Sequence, residues 1–163
     1  MTILVVWASR HGATKEVADV VREELSNGGH EVTLKEASEV TTLDNYDGVV
    51  LGSAVYLTQW VDTMRRFVSK FSKQLREKHL WAFSVGLSGV PGGNVVDPVR
   101  VGPVLLRINP IDETTFAGRL EPRELSLRER SVARLGGAQE GDYRDWDEIR
   151  RWSRSVSDMA KTL

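Results

Sequence analysis

The chain has 163 residues, of which 40% are hydrophobic and 28% charged, and its 22 basic and 23 acidic side chains leave a formal net charge of −1. This length is enough for one domain with a sizeable core, and the balanced charge excludes a global field that would recruit nucleic acid or an anionic membrane. The absence of cysteine excludes disulfides, thiolate metal ligands and cysteine nucleophiles.

The first half of the chain alternates strand and helix patterns. Residues 3–8 and 48–53 are continuous apolar runs, which predict strands covered on both faces, whereas residues 31–35 alternate in polarity and predict an edge strand. Apolar residues recur at helical spacing over residues 14–27 and again over residues 61–77. This half therefore predicts three strands and two helices.

The second half continues the alternation. Residues 80–85 and 114–118 predict the fourth and fifth strands, with a helix near residues 99–109 between them. Residues 123–144 are mostly charged, and Asp145 is placed to cap a final amphipathic helix. Five strands alternating with helices predict an α/β fold with a parallel sheet and helices on both faces. No linker or repeat divides the chain, so we expect one domain.

Three unusual segments follow predicted strands, at residues 9–14, 53–60 and 86–94. Ligands of such sheets bind outside the carboxyl ends of the strands, so we expect these segments to converge on one site. The first segment, called the first loop below, reads Ser9-Arg10-His11-Gly12-Ala13-Thr14 and precedes a helix. The unpaired N–H groups and the dipole at a helix start favour an anion, and we expect a phosphate there. The alternative is that Thr14 only caps the helix and Gly12 only makes a turn.

Other ligand motifs do not fit these segments. A dinucleotide site needs G-x-G-x-x-G and a P-loop needs a lysine after its second glycine, but the first loop contains only Gly12. A receiver domain needs a carboxylate where this chain has Ser53, and residues 86–89 fall short of the G-x-S-x-G nucleophile motif. The three histidines lack zinc-ligand spacing. These exclusions leave a mononucleotide site without a metal.

Aromatic residues in the second segment suit a planar ligand. Tyr56 and Trp60 could stack on a heterocycle, and the small residues before them allow close backbone approach. The alternative is that both rings only cover the edge of the sheet.

The first loop, with a hydroxyl residue, a glycine and a threonine at Ser9, Gly12 and Thr14, resembles that of flavodoxin-like FMN-binding domains. The likeness is closer to the branch that contains the short menaquinone-dependent protoporphyrinogen IX dehydrogenases. That branch is similar after the first hydroxyl residue (Arg10) and in the sequences YDGVVLGS and YRDW of this chain. The resemblance implies a five-stranded sheet of order 2-1-3-4-5 and FMN as the cofactor.

The resemblance also implies where FMN would lie. The first loop would hold its phosphate, with Arg10 or His11 supplying charge, while the second segment would flank the isoalloxazine and the third would approach N5. The cofactor-binding residues expected on this basis are Ser9, Arg10, His11, Gly12, Ala13 and Thr14; Ser53, Ala54, Val55, Tyr56 and Trp60; and Val85, Gly86, Leu87, Ser88, Gly92 and Gly93. No side chain is expected to act as acid or base, because a flavin performs the redox chemistry itself.

Three functional hypotheses stay open. The leading one is an FMN-dependent oxidoreductase, for which the closer branch implies protoporphyrinogen IX as substrate and a quinone as acceptor. The alternative is a flavodoxin-type carrier that shuttles electrons between partner proteins, and the third is a domain that binds a partner and no flavin. The chain starts without a secretory signal and contains no apolar run near the roughly 20 residues of a membrane span, so we expect a cytoplasmic location.

Overall fold

The computed structural model describes residues 1–86, 101–121, 123, 125–135 and 140–163, and of residues 132–135 the backbone alone. The elements in chain order are β1 (Thr2–Ala8), α1 (Ala13–Asn27), β2 (Glu31–Glu36), a 3-10 turn (Ala37–Glu39), β3 (Gly48–Tyr56), β4 (Gln59–Trp60), α2 (Asp62–Leu75), β5 (His79–Gly86), α3 (Gly102–Ile108), β6 (Asp112–Ala117), β7 (Arg119–Leu120), α4 (Leu127–Leu135), β8 (Gly141–Asp142) and α5 (Trp146–Lys161). The predicted strands and helices are all present, with ends shifted by a few residues.

A parallel sheet of order β2-β1-β3-β5-β6 forms the centre of the fold. This is the order expected for the five predicted strands, which is confirmed, and β2 is the predicted edge strand. The register aligns Ala8 with Ser53 and Ala54 with Val85. The carboxyl ends of β1, β3 and β5 therefore lie side by side at one edge of the sheet.

Helices cover both faces of the sheet because its central strands are apolar on both sides. In β1, for example, Ile3, Leu4, Val5 and Val6 are all fully buried. α2 and α3 contribute to the core on one face, and α1 and α5 contribute to the core on the other. Within the described parts of the chain, none of the helices has the length and apolar composition needed to cross a membrane.

The last helix begins where the sequence predicts. The Asp145 side chain accepts the Glu148 N–H at 3.0 Å, which satisfies one of the unpaired donors at the helix start. Farther along α5, the Trp152 indole N–H donates to Asp112 at 2.8 Å. This bond attaches α5 to β6, the edge strand opposite β2.

The segment after β3 differs from the loop expected over residues 53–60. β3 continues to Tyr56, and the chain turns back at Leu57 (φ 47°) and Thr58 (φ 70°) to form β4. Positive φ at both turn residues is the geometry that matches a two-residue hairpin to the twist of its strands. The expected loop is corrected to a hairpin whose turn comprises only two residues.

The charged stretch after β6 forms two short strands and a helix. Arg119 aligns with Asp142 and Leu120 with Gly141 in the antiparallel β7–β8 ribbon, and α4 lies between these strands in sequence. Strands of two residues are too short to show a periodicity, so the sequence did not predict them. The Tyr143 N–H donates to the Gly118 carbonyl at 3.1 Å, which attaches the ribbon to the end of β6.

A substitution at Gly52 would test how tightly β3 packs against the Phe83 side chain. A Cβ at this position would lie well inside van der Waals contact with the Phe83 ring, which packs against Phe116 and Trp152. We expect Gly52→Ala to lower the free energy of unfolding by about 1–3 kcal/mol, the usual cost of overpacking a core. Denaturant unfolding measures this change.

The matched control removes the obstructing ring. In the variant Gly52→Ala with Phe83→Leu, the new methyl group would occupy space that the ring has left. We expect the double variant to lose less stability than the two single variants added together. Strict additivity would contradict the contact between residues 52 and 83.

Candidate functional site

The first loop joins β1 to α1 and turns at Gly12, whose φ of 83° favours glycine. Ser9 Oγ accepts the N–H groups of His11 at 3.3 Å and Gly12 at 3.0 Å. Between α1 and the loop, the Glu16 N–H donates to the Gly12 carbonyl. The N–H groups of residues 13–15 precede this bond and have no acceptor within the helix. Ser9 thus shapes the turn, and three backbone donors remain at the start of α1.

Thr14 adds a hydroxyl group to these donors. Its side chain is fully buried, and Oγ1 has no hydrogen-bond partner among the described residues. A buried hydroxyl is seldom left in this state, because its desolvation costs free energy that only a partner restores. The N-cap of α1 is Gly12, so Thr14 does not serve as the helix cap. The part of the alternative that makes Thr14 the helix cap is therefore wrong, whereas Gly12 does make the turn.

A carboxylate from α4 lies against the first loop. Glu129 Oε1 lies 2.7 Å from Arg10 Nη1 and 3.2 Å from His11 Nε2, and the Glu129 side chain is only 9% exposed. The other carboxylate oxygen, Oε2, accepts the Ser126 N–H at 2.7 Å, while Ser126 Oγ accepts the Glu129 N–H. Glu129 thus closes a capping box at the start of α4 and also holds two side chains of the first loop.

Arg10 connects this carboxylate to the aromatic part of the site. Its guanidinium lies 4.3 Å from the centroid of the Tyr56 ring, within the range of a cation–π interaction. Arg10 and His11 were expected to supply charge to a phosphate. In the structure both side chains contact Glu129, so binding of either one to a ligand would compete with its contact to this carboxylate.

A cavity of about 440 Å³ lies between the first loop, the hairpin turn and α4. This volume falls within the range of ordinary small-molecule sites. Tyr56 and Leu57 provide an aromatic and apolar wall, and charged groups face them. The lining residues are Arg10, His11, Tyr56, Leu57, Ser126, Arg128 and Glu129.

Two expected ligand-flanking residues lie in the core. Trp60 is only 2% exposed, and its indole N–H donates to Ser84 Oγ at 2.9 Å. Ser53 is fully buried, with its Oγ donating to the Ala54 carbonyl and accepting the Val61 N–H. Both side chains are satisfied internally and present no surface to a ligand, which corrects the expectation that they flank a heterocycle.

The remaining residues that were expected to bind the cofactor lie either in the sheet or outside the described residues. Val55 is half-buried at the end of β3, and Val85 is buried in β5. The Gly86 carbonyl accepts the Gly118 N–H at 2.7 Å, which links the ends of β5 and β6. Leu87, Ser88, Gly92 and Gly93 lie outside the described residues.

Arg144 is a site residue that the sequence did not predict. Its side chain is 5% exposed and donates to the Ala13 carbonyl at 3.3 Å, to Glu16, and to Asp142 through two bonds. Its guanidinium also lies 4.7 Å from the centroid of the Trp146 ring. The hydrogen bond from Arg144 holds the pKa of Asp142 below its usual range. Arg144 thus anchors the start of α1 from behind.

Arg119, in β7, makes a similar contact two residues earlier in the first loop. It donates to the His11 carbonyl at 3.4 Å and to Glu16 at 3.3 Å. Two arginines from the β7–β8 region therefore hold carbonyl oxygens of the first loop. Nothing in the sequence pattern pairs residues separated by more than 100 positions, so these contacts could not have been found without the fold.

Comparison with known proteins agrees with this architecture. A family model described as a flavodoxin domain matches residues 4–146, and the chain belongs to this family. A flavodoxin from the domain Archaea is similar with a TM-score of 0.67 and 13% identity, over 99% of both chains. The flavodoxin of Streptococcus pneumoniae TIGR4 has a TM-score of 0.65 and 18% identity over 100% of both chains. A flavone reductase is similar with a TM-score of 0.60 and 14% identity, over 99% of this chain and 63% of that one.

The ionisation of Glu129 makes stability depend on pH. Burial acts to raise the pKa of Glu129, but hydrogen bonds from Ser126 and His11 outweigh it and hold the pKa below its usual value. Since the folded pKa is the lower one, the stabilisation is present above the unfolded pKa of about 4.3 and is lost as the pH falls through the folded pKa. We expect wild type to lose stability across this acidic window more steeply than Glu129→Gln.

Denaturant unfolding of both proteins at neutral pH and at several acidic values measures the difference. The neutral values provide the baseline for each protein. Equal slopes below about pH 4.3 would contradict the ionised contact of Glu129 with the first loop.

Proposed function

We propose that this chain binds FMN, with the phosphate at the start of α1, and acts as an FMN-dependent oxidoreductase. The observation that carries the proposal is the unpartnered, fully buried hydroxyl of Thr14 beside the backbone donors of residues 13–15. The oxygens of a phosphate could accept hydrogen bonds from these groups, and the dipole of α1 favours its charge. The residues therefore fit the cofactor that the family resemblance implies.

Each part of the site would have a distinct task. The N–H groups of residues 13–15, Thr14 Oγ1 and the Ser9 O–H would bind the phosphate, and Tyr56 would provide an aromatic surface for the flavin ring. Bound FMN would supply the redox chemistry, and the protein would supply position and electrostatics. No described residue needs to transfer a proton for this function.

For the substrate, we propose protoporphyrinogen IX with a quinone as acceptor, as the closer resemblance implies. Its support is the likeness at Arg10 and in the sequences YDGVVLGS and YRDW. The cavity bordered by α4 offers Arg128 to an anionic substrate. Oxidation of the porphyrinogen with a menaquinone analogue tests this step, and absence of turnover by the FMN-loaded protein would exclude it.

A flavodoxin-type electron carrier is the second candidate. The observation in its favour is that flavodoxins resemble the chain over nearly the whole length of both proteins. Reduction of the bound flavin by a reductase protein, followed by reoxidation by a second protein without any small-molecule turnover, would identify a carrier.

Colour provides the first test of either candidate. We expect the purified protein, or the protein mixed with FMN, to show a flavin absorption spectrum shifted from that of the unbound cofactor. A colourless protein that fails to quench FMN fluorescence would exclude both redox functions and favour a domain that binds a partner instead.

Thr14→Val tests the phosphate site directly, because valine keeps the shape of threonine and removes its hydroxyl. We expect FMN binding to weaken by about 1.5 kcal/mol, roughly tenfold, the scale of a hydrogen bond to a charged group. The ligand-free variant should be as stable as wild type or more stable by about 1 kcal/mol, since an unsatisfied buried hydroxyl is gone.

Riboflavin is the matched control ligand because it lacks the phosphate. Its affinity, measured by the same fluorescence titration, should change little in Thr14→Val. Equal weakening of FMN and riboflavin would show that Thr14 does not contact the phosphate.

A further inference from the structure

Glu129 introduces a negative charge into a loop that is otherwise suited to anions. Its Oε1 lies 2.7 Å from Arg10 Nη1 and 3.2 Å from His11 Nε2. The carboxylate is nearly buried, and its low pKa keeps it ionised at neutral pH. The formal charges of Arg10 and Glu129 cancel, so the first loop presents no net side-chain charge from this pair.

The position of Glu129 is built into α4 rather than left to a flexible side chain. Oε2 accepts the Ser126 N–H at 2.7 Å, and the Ser126 hydroxyl accepts the Glu129 N–H at 3.3 Å. This reciprocal capping box fixes the carboxylate at the first turn of the helix. The charge is therefore held in place against the first loop.

A phosphate at the start of α1 would meet two consequences of this arrangement. Arg10 Nη1 and His11 Nε2 would have to leave Glu129 before these two nitrogens could bind the phosphate. In addition, the carboxylate and the phosphate would repel each other in a partly desolvated environment, where Coulomb interactions exceed those in bulk water. A ligand without a phosphate would not experience this repulsion.

We propose that Glu129 determines the ligand specificity of the first loop, by opposing a phosphate and so limiting how strongly the site prefers FMN over riboflavin. The inference rests on the proposed function for the identity of the flavin. Glu129 competes with the ligand for Arg10 and His11, and α4 positions the Glu129 carboxylate against the first loop.

Glu129→Gln removes the charge and keeps a carbonyl oxygen for the Ser126 N–H. We expect the ratio of FMN affinity to riboflavin affinity to rise about tenfold in this variant, as fluorescence titration of both ligands would show. Glu31→Gln, at the exposed start of the edge strand β2, changes the net charge equally and serves as the control, with an unchanged ratio. An unchanged or smaller FMN preference in Glu129→Gln would overturn the proposal.

Inorganic phosphate tests the same residue without a flavin. Titration followed by the backbone amide NMR signals of residues 13–15 should reach its midpoint at about a tenfold lower phosphate concentration in Glu129→Gln than in wild type. If FMN fails to bind any variant while this shift is observed, the proposed function is wrong and the inference on Glu129 stands. Equal phosphate midpoints would overturn the inference even if FMN binds.

Discussion

The buried guanidinium of Arg144 joins the segment that follows the sheet to the loop that precedes α1, and the geometry of the candidate site depends on this contact. A peptide unit is planar, so a hydrogen bond to the Ala13 carbonyl also fixes the direction of the Thr14 N–H on its far side. Arg119 does the same for the His11 carbonyl and the Gly12 N–H. Two arginines thus orient backbone donors from behind the first loop.

The strands, the main helices and the start of α5 were predictable from the sequence because each depends on periodic or local patterns, whereas the strand order was implied by the resemblance to flavodoxin-like domains. The hairpin after β3 was not, since its turn uses Leu57 and Thr58 where such turns usually contain Asn-Gly. The Ser126-x-x-Glu129 capping box is visible in the sequence, but its contact with the first loop depends on how α4 packs. Trp60 was expected beside the ligand but lies in the core, because an aromatic residue that follows a strand is compatible with either position.

The charged side chains around the first loop pair with one another. Glu16 and Asp142 pair with Arg144, and Glu129 pairs with Arg10. An anion at the start of α1 would therefore depend mainly on backbone N–H groups and hydroxyls, which keep their orientation without a counter-ion. The overall charge of −1 does not indicate an anion-binding site, because the attraction for the anion comes from backbone and hydroxyl dipoles, which do not contribute to the formal charge.

Arg10 makes the two halves of the site interdependent. Its guanidinium contacts both the Glu129 carboxylate and the ring of Tyr56. Since Trp60 is buried, Tyr56 is the expected aromatic residue that still borders the cavity, and Arg10 already contacts its ring. A planar ligand that stacks on the same ring face must displace Arg10, which in turn disturbs the contact with Glu129. Charge at the first loop and stacking at the hairpin are therefore coupled through one side chain.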